Sequence, residues 1–316
     1  MGDKMRGSAM PLSRHAVDRD YLSRSRPELF AELAADPETR VLPIWHGKTL
    51  LSSLEPARLM LLPSAALPDA SLRLYLGRSM SGRSPEPPEP PGTPFVAAVL
   101  SDAVAVALAP PDDWVGLREV GAALSDRDAG LLTEALSLAN WHASHRFSPR
   151  TGAPLVPEQG GWVLRSADDT IEVFPRTDPA IIVAVVDQDD RLLLGSNAMW
   201  EVNRYSLLAG FVEPGESLEA AVTREIFEES GIRVVDPVYL GSQPWPFPAS
   251  LMLGFRALAD PAGGWTLTPD GAEILDLRWF TREELRGNAD VILPGKTSIA
   301  RAIIEGWLGA PIDSQP

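Results

Sequence analysis

The chain has 316 residues, enough for two domains of ordinary size, with 45% hydrophobic and 22% charged residues and a formal net charge of −15 at pH 7. It contains no cysteine, which excludes a disulfide framework, a thiolate zinc site and a thiol nucleophile. The acidic balance argues against a protein that binds nucleic acid non-specifically, because such binding depends on cationic side chains at the phosphates.

Two absences bear on location. The first part of the chain includes no apolar core of a signal peptide, and no apolar run is long enough to cross a bilayer. We therefore expect no signal-peptide secretion, no membrane span and no membrane partner. Together with the lack of cysteine, these observations favour a cytoplasmic protein.

Residues 1–130 carry short apolar runs separated by turn residues. The runs RVLPIWHGKTLL, ARLMLLP, LRLYLG and PFVAAVL are typical of strands, so we predict a small mixed α+β domain here. The proline-rich segment RSPEPPEPPGTP, residues 83–94, cannot continue a helix or an inner strand and is predicted to be an exposed loop.

Residues 131–176 combine most of a helix with a turn-rich linker. Apolar residues at helical spacing predict a helix over residues 126–147. His142 and His145 lie three apart near its end. Because a tetrahedral metal site needs four ligands and no second pair lies nearby, we interpret them as surface histidines.

Residues 177–312 mix strands and helices. The stretch PAIIVAVVDQDDRLLLGS is typical of a strand, an Asp-rich turn and a second strand, and TSIARAIIEGWLGA is typical of an amphipathic helix. Elements in this order predict an α/β domain in which helices flank a mixed sheet.

A helix is predicted over residues 218–230. Ser217 stands where its hydroxyl can cap the first turn, and Gly231 stands where a C-terminal stop belongs. These signals define a helix of about three turns. Its apolar face consists of Leu218, Ala221, Val222 and Ile226.

Three glutamates of this helix, Glu225, Glu228 and Glu229, lie close together, although like charges at this spacing destabilise a helix by roughly a few tenths of a kcal/mol. Arg224 is four residues before Glu228 and can hold one carboxylate in place. A cluster of oxygen ligands on one helix is what hard cations select. The pattern therefore predicts a site for Mg²⁺ or Mn²⁺ that is suited to phosphoryl chemistry.

The same residues fit a longer pattern, G-x5-E-x7-R-E-U-x-E-E-x-G-U, over residues 210–232. Chance agreement at its specific positions is on the order of one in ten million per starting position. The pattern is the Nudix box, and the chain resembles the Nudix hydrolases, which cleave a nucleoside diphosphate linked to another group. The resemblance implies an α/β/α sandwich for residues 177–312, with the box forming a loop, a helix and a loop. Its fixed positions are Gly210, Glu216, Arg224, Glu225, Ile226, Glu228, Glu229, Gly231 and Ile232.

A second motif, SQPWPFPAS over residues 242–250, narrows the resemblance to the NADH pyrophosphatase branch. Its prolines alternate with two aromatic residues, which fixes an extended, rigid wall suited to a flat base or a ribose. The alternative is a proline-rich connection packed on the core, and the adjacent Nudix box favours the substrate wall. The residues expected to bind substrate here are Gln243, Pro244, Trp245, Pro246, Phe247, Pro248, Ala249 and Ser250.

The resemblance also implies roles for individual residues. Arg224, Glu228 and Glu229 are the expected catalytic residues, and which glutamate acts as the base toward water is left open. The expected metal ligands are the carbonyl of Ala209 and the carboxylates of Glu225, Glu228, Glu229 and Glu273. Further substrate contacts, from a pocket wall and from ring stacking, are expected at Ala300, Phe211 and Phe174.

The chain departs from the family in one respect. Many members carry a four-cysteine zinc ribbon between their two domains, whereas this chain has no cysteine, so no zinc is expected. In its place, residues 147–175 are predicted to form a short β-rich linker held by Trp162 and neighbouring apolar contacts.

The expected activity is metal-dependent hydrolysis of the pyrophosphate of NAD(H), giving AMP and nicotinamide mononucleotide. The family also includes enzymes that remove NAD caps from RNA, so NAD-capped RNA is retained as a second substrate. Two alternatives stay open. One is another dinucleotide, such as ADP-ribose or a diadenosine polyphosphate, and the other is a non-catalytic Nudix module that senses a nucleotide. The resemblance further implies a homodimer.

Overall fold

The computed structural model describes residues 10–66, 70–80, 89–166, 171–287 and 290–312. These residues form two compact units. The N-terminal unit holds residues 14–177 and 245–249, and the C-terminal unit holds the segments before residue 14, from 178 to 244 and from 250 onward. Within the described ranges, no helix combines the length and the apolar character needed to cross a membrane.

The N-terminal unit consists of short strands and four α-helices among its described residues. In chain order these are β1 (Val17–Asp18), α1 (Leu29–Ala35), β2 (Arg40–Ile44), β3 (Lys48–Thr49), β4 (Leu51–Leu54), β5 (Ala57–Leu59), β6 (Leu62–Pro63), β7 (Ala70–Ser79), β8 (Pro94–Leu100), α2 (Asp102–Leu108), β9 (Val115–Gly116), α3 (Leu117–Val120), α4 (Asp126–Ser144), β10 (Leu155–Glu158), β11 (Val163–Ser166) and β12 (Glu172–Val173).

A five-stranded mixed sheet forms the centre of this unit, in the order β1-β7-β8-β2-β6, and β2 and β8 run parallel. Apolar side chains cover the sheet, including Leu29, Tyr75 and Val96 in one cluster and Val41 and Trp114 in another. The predicted mixed α+β architecture is confirmed. Half of the predicted proline-rich loop, residues 83–88, lies outside the described residues.

The strands β10, β11 and β12 form a separate three-stranded antiparallel sheet, which confirms a β-rich linker for the described residues of this segment. Trp162 holds it in place, because its indole Nε1 donates to the Tyr75 carbonyl at 2.8 Å and the Arg24 guanidinium lies 3.5 Å from the ring centroid. The contacts of Trp162 are thus polar and cation–π as well as apolar.

His142 and His145 are both half-buried rather than surface residues, which corrects the prediction from sequence. Of the two, His142 contacts the linker. Its Nε2 lies 2.8 Å from the Gly161 carbonyl oxygen, at the linker. Burial lowers the pKa of His142, so the neutral ring donates this hydrogen bond. Its role in the described structure is to join α4 to the linker.

The C-terminal unit is built on one mixed sheet of six strands. Its elements in chain order are β13 (Asp178–Val186), β14 (Leu192–Asn197), β15 (Leu208–Phe211), α5 (Leu218–Ser230), β16 (Val234–Trp245), β17 (Ser250–Ala259), β18 (Ile274–Phe280), α6 (Arg282–Gly287) and α7 (Ile299–Leu308). The order is β16-β17-β13-β14-β18, with β15 paired to β13 and with β13 and β17 parallel. The predicted hairpin is present, since β13 and β14 pair antiparallel.

Both faces of this sheet are covered, because alternate residues of the central strand β13 point to opposite sides. Ile181 and Val183 belong to the core that includes residues of α5, and Ile182 and Ala184 belong to the core that includes residues of α7. A strand buried on both sides reads as an unbroken apolar run, as β13 does. The predicted α/β/α sandwich is confirmed.

The helix α5 begins and ends where the sequence predicted. The Ser217 hydroxyl accepts a hydrogen bond from the Ala220 amide at 3.2 Å, and Gly231 ends the helix with φ 71°, a left-handed conformation that favours glycine. Ala221, Val222 and Ile226 are fully buried. The caps and the apolar face together fix the rotation of α5 about its axis.

The helix α4 buries a carboxylate in the N-terminal unit. Glu134 is only 6% exposed, its Oε2 lies 3.7 Å from Arg19 Nε, and its Oε1 has no hydrogen-bond partner within the described residues. Burial raises the pKa of Glu134 to about 7, and the opposing charges of Arg19 and Arg24 only partly offset this effect. The ionised form of Glu134 therefore destabilises the fold.

This raised pKa predicts a pH-dependent gain in stability for Glu134→Gln. In the unfolded chain the carboxyl titrates near 4.5, and in the folded chain it titrates near 7. The folded state therefore binds more protons between these values, and the wild-type free energy of unfolding falls as the pH rises through this window. The neutral variant lacks this loss, so we expect it to exceed the wild type by about 1–3 kcal/mol at pH 8.

Urea unfolding of both proteins at pH 5 and pH 8 measures the difference. The exposed Glu119→Gln on α3 serves as the control and should change the free energy of unfolding by less than about 0.5 kcal/mol at either pH. A Glu134→Gln variant that is less stable than the wild type at pH 8 would contradict the burial argument.

Candidate active site

The box glutamates lie on α5 and differ sharply in exposure. Glu229 is buried, Glu225 is half-buried and Glu228 is exposed. Glu229 follows Val222 and Ile226 at helical spacing and therefore shares their inward face. The helix thus presents one carboxylate inward, one at the edge and one to solvent.

Arg224 joins the helix to the loop before it. Its guanidinium donates to both carboxylate oxygens of Glu216, at 2.6 and 3.1 Å, and to the Phe211 carbonyl at 3.0 Å. Nη1 also lies 2.9 Å from Glu225 Oε1 and 3.0 Å from Glu228 Oε2. The predicted pairing of Arg224 with a box carboxylate is confirmed. Arg224 lowers the pKa of Glu216, and these carboxylates raise the pKa of Arg224.

Gly210 leaves room for the Glu225 carboxylate. A Cβ atom built on Gly210 would lie 2.1 Å from the carboxyl carbon of Glu225, far inside van der Waals contact. Gly210 sits on β15, where it pairs with Ile181 of the central strand. The first fixed position of the box is therefore glycine because the carboxylate packs against its backbone.

Glu229 has a buried carboxylate and a raised pKa. Its Oε2 is buried and has no hydrogen-bond partner among the described residues. Burial, followed by the negative charges of Glu225, Glu273 and Asp270, raises the pKa of Glu229 to about 8, while the backbone of Ala209 opposes the shift. An orphaned oxygen surrounded by negative charge is the environment that a bound cation would satisfy.

The candidate ligands are oxygen donors, which suit a hard divalent cation, but their side chains, all among the described residues, are not close enough together to form a complete metal site. Across the ranges that the structure describes, no three acidic or histidine side chains form a ready metal-binding group. Arg224 accounts for part of this, because it holds Glu225 and Glu228. Glu273 lies just before β18, exposed, where its Oε1 accepts from Asn197 Nδ2 at 3.3 Å. Ala209 is half-buried on β15.

Gln243 serves the C-terminal unit structurally. It is fully buried, its Oε1 accepts from the Leu12 amide at 3.1 Å, and its Nε2 donates to the Thr297 carbonyl at 3.0 Å. These bonds explain why a buried amide stands at this position. Its expected contact with substrate stays a prediction, as do those of its half-buried neighbour Pro244 and of Ser250, the first residue of β17.

The remaining motif residues, 245–249, group with the N-terminal unit. The rings of Trp245 and Phe247 meet edge to face at 4.8 Å, and the guanidinium of Arg118 lies 4.2 Å from the Phe247 centroid. Asn140 Nδ2 donates to the carbonyl oxygens of Pro246, at 2.9 Å, and Pro248, at 3.2 Å. The rigid aromatic wall is therefore present, with Ala249 half-buried at its end.

Arg118 and Asn140 were not identified from the sequence. Both lie more than one hundred positions from the motif they contact, so no local pattern links them to it. The sequence showed only that Arg118 is an isolated basic residue and that Asn140 is an amide on a predicted helix, and neither feature indicates a contact with the motif. They supply a cation and two hydrogen bonds to the aromatic wall.

Three expected substrate contacts stand apart from these groups. Phe211 ends β15 and is 58% exposed, as a stacking residue requires. Phe174 follows β12 in the N-terminal unit and is 61% exposed. Ala300 is buried on α7 within the apolar core of the C-terminal unit. Their roles toward substrate stay predictions.

The close packing at Gly210 predicts a selective loss of function in Gly210→Ala. The new methyl group must displace the flexible end of Glu225, which costs the fold little but moves a candidate ligand. We expect a melting temperature within about 4 °C of the wild type and a loss of cation-stimulated hydrolysis of about 100-fold. Gly295→Ala, where no atom lies within 4 Å, is the matched control. Unchanged hydrolysis in Gly210→Ala would show that the position of Glu225 is unimportant.

Comparison with known proteins matches residues 176–302 to the NUDIX domain and residues 38–141 to the NADH pyrophosphatase-like rudimentary NUDIX domain. The NAD-capped RNA hydrolase NudC of Mycobacterium tuberculosis (strain H37Rv) is 39% identical over 94% of each chain. NudC of Stutzerimonas stutzeri (strain A1501) is 40% identical, over 62% of this chain and 67% of its own. The NAD-capped RNA hydrolase NUDT12 of Homo sapiens is 36% identical, over 58% of this chain and 43% of its own. The chain therefore belongs to the Nudix hydrolase family, in the branch that carries an NADH pyrophosphatase-like domain before the Nudix domain.

Proposed function

We propose that this protein is a divalent-metal-dependent hydrolase that cleaves the pyrophosphate of NAD(H) to AMP and nicotinamide mononucleotide, and that it also removes NAD caps from RNA. The observation that carries the proposal is the buried, unpartnered oxygen of Glu229 at the centre of a complete Nudix box. The two domain matches and the relatives named as NAD-capped RNA hydrolases support the choice of substrate.

Carboxylates of the box and of Glu273, just before β18, would hold the metal. Glu225 and Glu229 contribute the inner oxygens, Glu273 adds one from outside the box, and Glu228 and the Ala209 carbonyl complete the candidate donors. Oxygen donors of this kind select Mg²⁺ or Mn²⁺. When bound, such an ion neutralises phosphate oxygens and acidifies water.

The residues of the chain then have distinct tasks. The oxygen of a water molecule bonds to one phosphorus, the bridging P–O bond breaks, and a carboxylate of Glu228 or Glu229 takes the water proton. Burial raises the pKa of Glu229 to about 8, and a bound cation would lower it and favour the ionised carboxylate. Arg224 keeps Glu216 and Glu228 in place while this happens.

The aromatic wall supplies the substrate contacts. Trp245 and Phe247 present apolar ring surface for a base or ribose, and the nearby guanidinium of Arg118 offers a cation for a phosphate or a stacked ring. The net charge of −15 disfavours non-specific RNA binding. Recognition of capped RNA would therefore depend on the cap and only weakly on the chain that follows.

Other properties belong to the same proposal. Either Mg²⁺ or Mn²⁺ suits the donor set. A cytoplasmic location is supported by the absence of cysteine, and a homodimer by the resemblance to the family. The complete set of box glutamates favours an enzyme over a nucleotide-sensing module.

The burial of Glu229 predicts that Glu229→Gln folds normally and loses turnover. The amide keeps the size of the side chain but lacks the charge that binds a cation, so we expect kcat for NADH to fall by about 100-fold or more. Circular dichroism and steady-state kinetics with Mn²⁺ measure the two properties. The exposed Glu219→Gln in the first turn of α5 is the matched control and should keep wild-type kcat. More than a tenth of wild-type kcat in Glu229→Gln would remove the proposed role.

Product analysis tests the function itself. The full-length protein is incubated with NADH, NAD⁺, ADP-ribose, a diadenosine polyphosphate or NAD-capped RNA, each with Mg²⁺ or Mn²⁺, and products are identified by mass. We expect AMP and reduced nicotinamide mononucleotide from NADH, with ¹⁸O from labelled water in one phosphate.

The comparison of kcat/KM among these substrates distinguishes the alternatives. If kcat/KM is higher for ADP-ribose or a diadenosine polyphosphate than for NAD(H), that compound is the preferred substrate. No cation-stimulated cleavage of any dinucleotide would overturn the proposal and favour the sensing module. The same assay on Glu229→Gln controls for contaminating hydrolases.

A further inference from the structure

Glu273 is held at each of its polar groups although it lies at the surface. Its amide donates to Asp270 Oδ1 at 2.9 Å, its carbonyl accepts from the Ala198 amide at 2.8 Å, and its Oε1 accepts from Asn197 Nδ2 at 3.3 Å. An exposed glutamate without such contacts samples several rotamers within nanoseconds. The surroundings of Glu273 therefore restrict a side chain that solvent would leave free.

Asp270 supplies the backbone part of this restraint. One of its oxygens, Oδ1, accepts hydrogen bonds from three successive amides, those of Ala272, Glu273 and Ile274, each at 2.9 Å. The turn is closed by the Gly271 amide, which donates to the Ile274 carbonyl at 3.1 Å. A single carboxylate oxygen thus fixes the path of the chain through Glu273 and into β18.

The pairing of β14 and β18 is irregular at the residues next to Glu273. Along β14 and β18, Ser196 pairs with Asp276 and the next residue, Asn197, pairs with Ile274. Leu275 is therefore the extra residue, and it is 58% exposed. Bulges of this kind redirect side chains and are common beside active sites.

Asn197 completes the restraint from the neighbouring strand. Its Oδ1 accepts from the Met199 amide at 2.9 Å, which fixes the orientation of the amide group. Nδ2 is then the group that faces Glu273. The carboxylate of Glu273 is consequently directed by one strand while its backbone is fixed by Asp270.

We propose that Asp270 is a positioning residue that, with Asn197, holds the Glu273 carboxylate ready to bind the divalent cation. The inference rests on the proposed function, in which Glu273 is the ligand from outside the box. A ligand that is ordered before binding loses less entropy when the metal arrives. Loss of a residue that orients a metal ligand typically weakens metal affinity by about 10–100-fold.

A nearby residue separates this role from ordinary loop capping. Asp260 lies in the same connection between β17 and β18, where its Oδ1 accepts from the Ala262 amide at 2.9 Å. Among the described residues, its side chain caps a short turn that does not include Glu273. Substitution of either aspartate by alanine removes a side-chain hydrogen bond that caps a turn. Only the substitution of Asp270 removes a hydrogen bond to Glu273.

The experiment measures Mn²⁺ binding by electron paramagnetic resonance in full-length Asp270→Ala, Asp270→Asn and Asp260→Ala, with NADH hydrolysis as a second readout. We expect the Kd for Mn²⁺ to rise at least about 10-fold in Asp270→Ala, with KM for NADH changed by less than about threefold. Asp270→Asn keeps the acceptor oxygen but removes the negative charge that acts on Glu229. Its affinity should stay within about threefold of the wild type, and a loss equal to that of Asp270→Ala would assign the effect to charge and overturn the inference. Asp260→Ala should bind Mn²⁺ as the wild type does.

Each outcome decides the inference. Wild-type Mn²⁺ affinity in Asp270→Ala overturns it, and so does an equal loss in Asp260→Ala. If Asp270→Ala does not fold, Asn197→Ala tests the same restraint without the turn, and an unchanged Mn²⁺ affinity there overturns the proposal. A wild-type protein that binds Mn²⁺ but cleaves no dinucleotide would refute the proposed function while leaving the positioning role intact.

Discussion

One imbalance of charge organises the candidate site: a single arginine faces several carboxylates and cannot satisfy them all. Arg224 bonds to Glu216, Glu225 and Glu228, and it leaves Glu229 buried without a partner for one oxygen. Burial of this carboxylate carries a desolvation cost that the backbone of Ala209 only partly offsets. The raised pKa of Glu229 is the measure of that cost, and a divalent cation is the species that would remove it.

The fold imposes this imbalance through the rotation of one helix. Val222 and Ile226 must face the sheet because the apolar core of the C-terminal unit requires them. Glu229 follows at the next position of the same inward stripe, so packing of α5 buries it regardless of its charge. Gly210 then allows β15 to approach closely enough for Glu225 to lie against its backbone. The stability of the core thus supports a local arrangement that is unfavourable without a ligand.

The sequence predicted the parts that depend on local pattern. The caps at Ser217 and Gly231 follow from signals within a short segment, and the mixed sheet flanked by helices follows from the order of the predicted elements. The α/β/α sandwich was implied by the resemblance to the Nudix family. The sequence did not predict Arg118 beside the aromatic wall, because a contact between distant parts of the chain places it there. It also did not predict the turn at Asp270, although the hydrogen bonds of that turn join residues no more than four positions apart. The same limit applies to Glu134, since a glutamate on an amphipathic helix is ordinarily exposed.

The small sheet of β10, β11 and β12 is held by contacts with other parts of the N-terminal unit. Three short strands bury too little surface to be stable alone. Here Trp162 lies against Arg24 and bonds to β7, and Gly161, with φ 91°, packs so closely on Leu74 that a Cβ would lie 2.6 Å from its side chain. The linker is thus stabilised by contact with the larger sheet of the same unit. Because these contacts hold the linker, its three strands should lose their structure when the rest of the N-terminal unit unfolds.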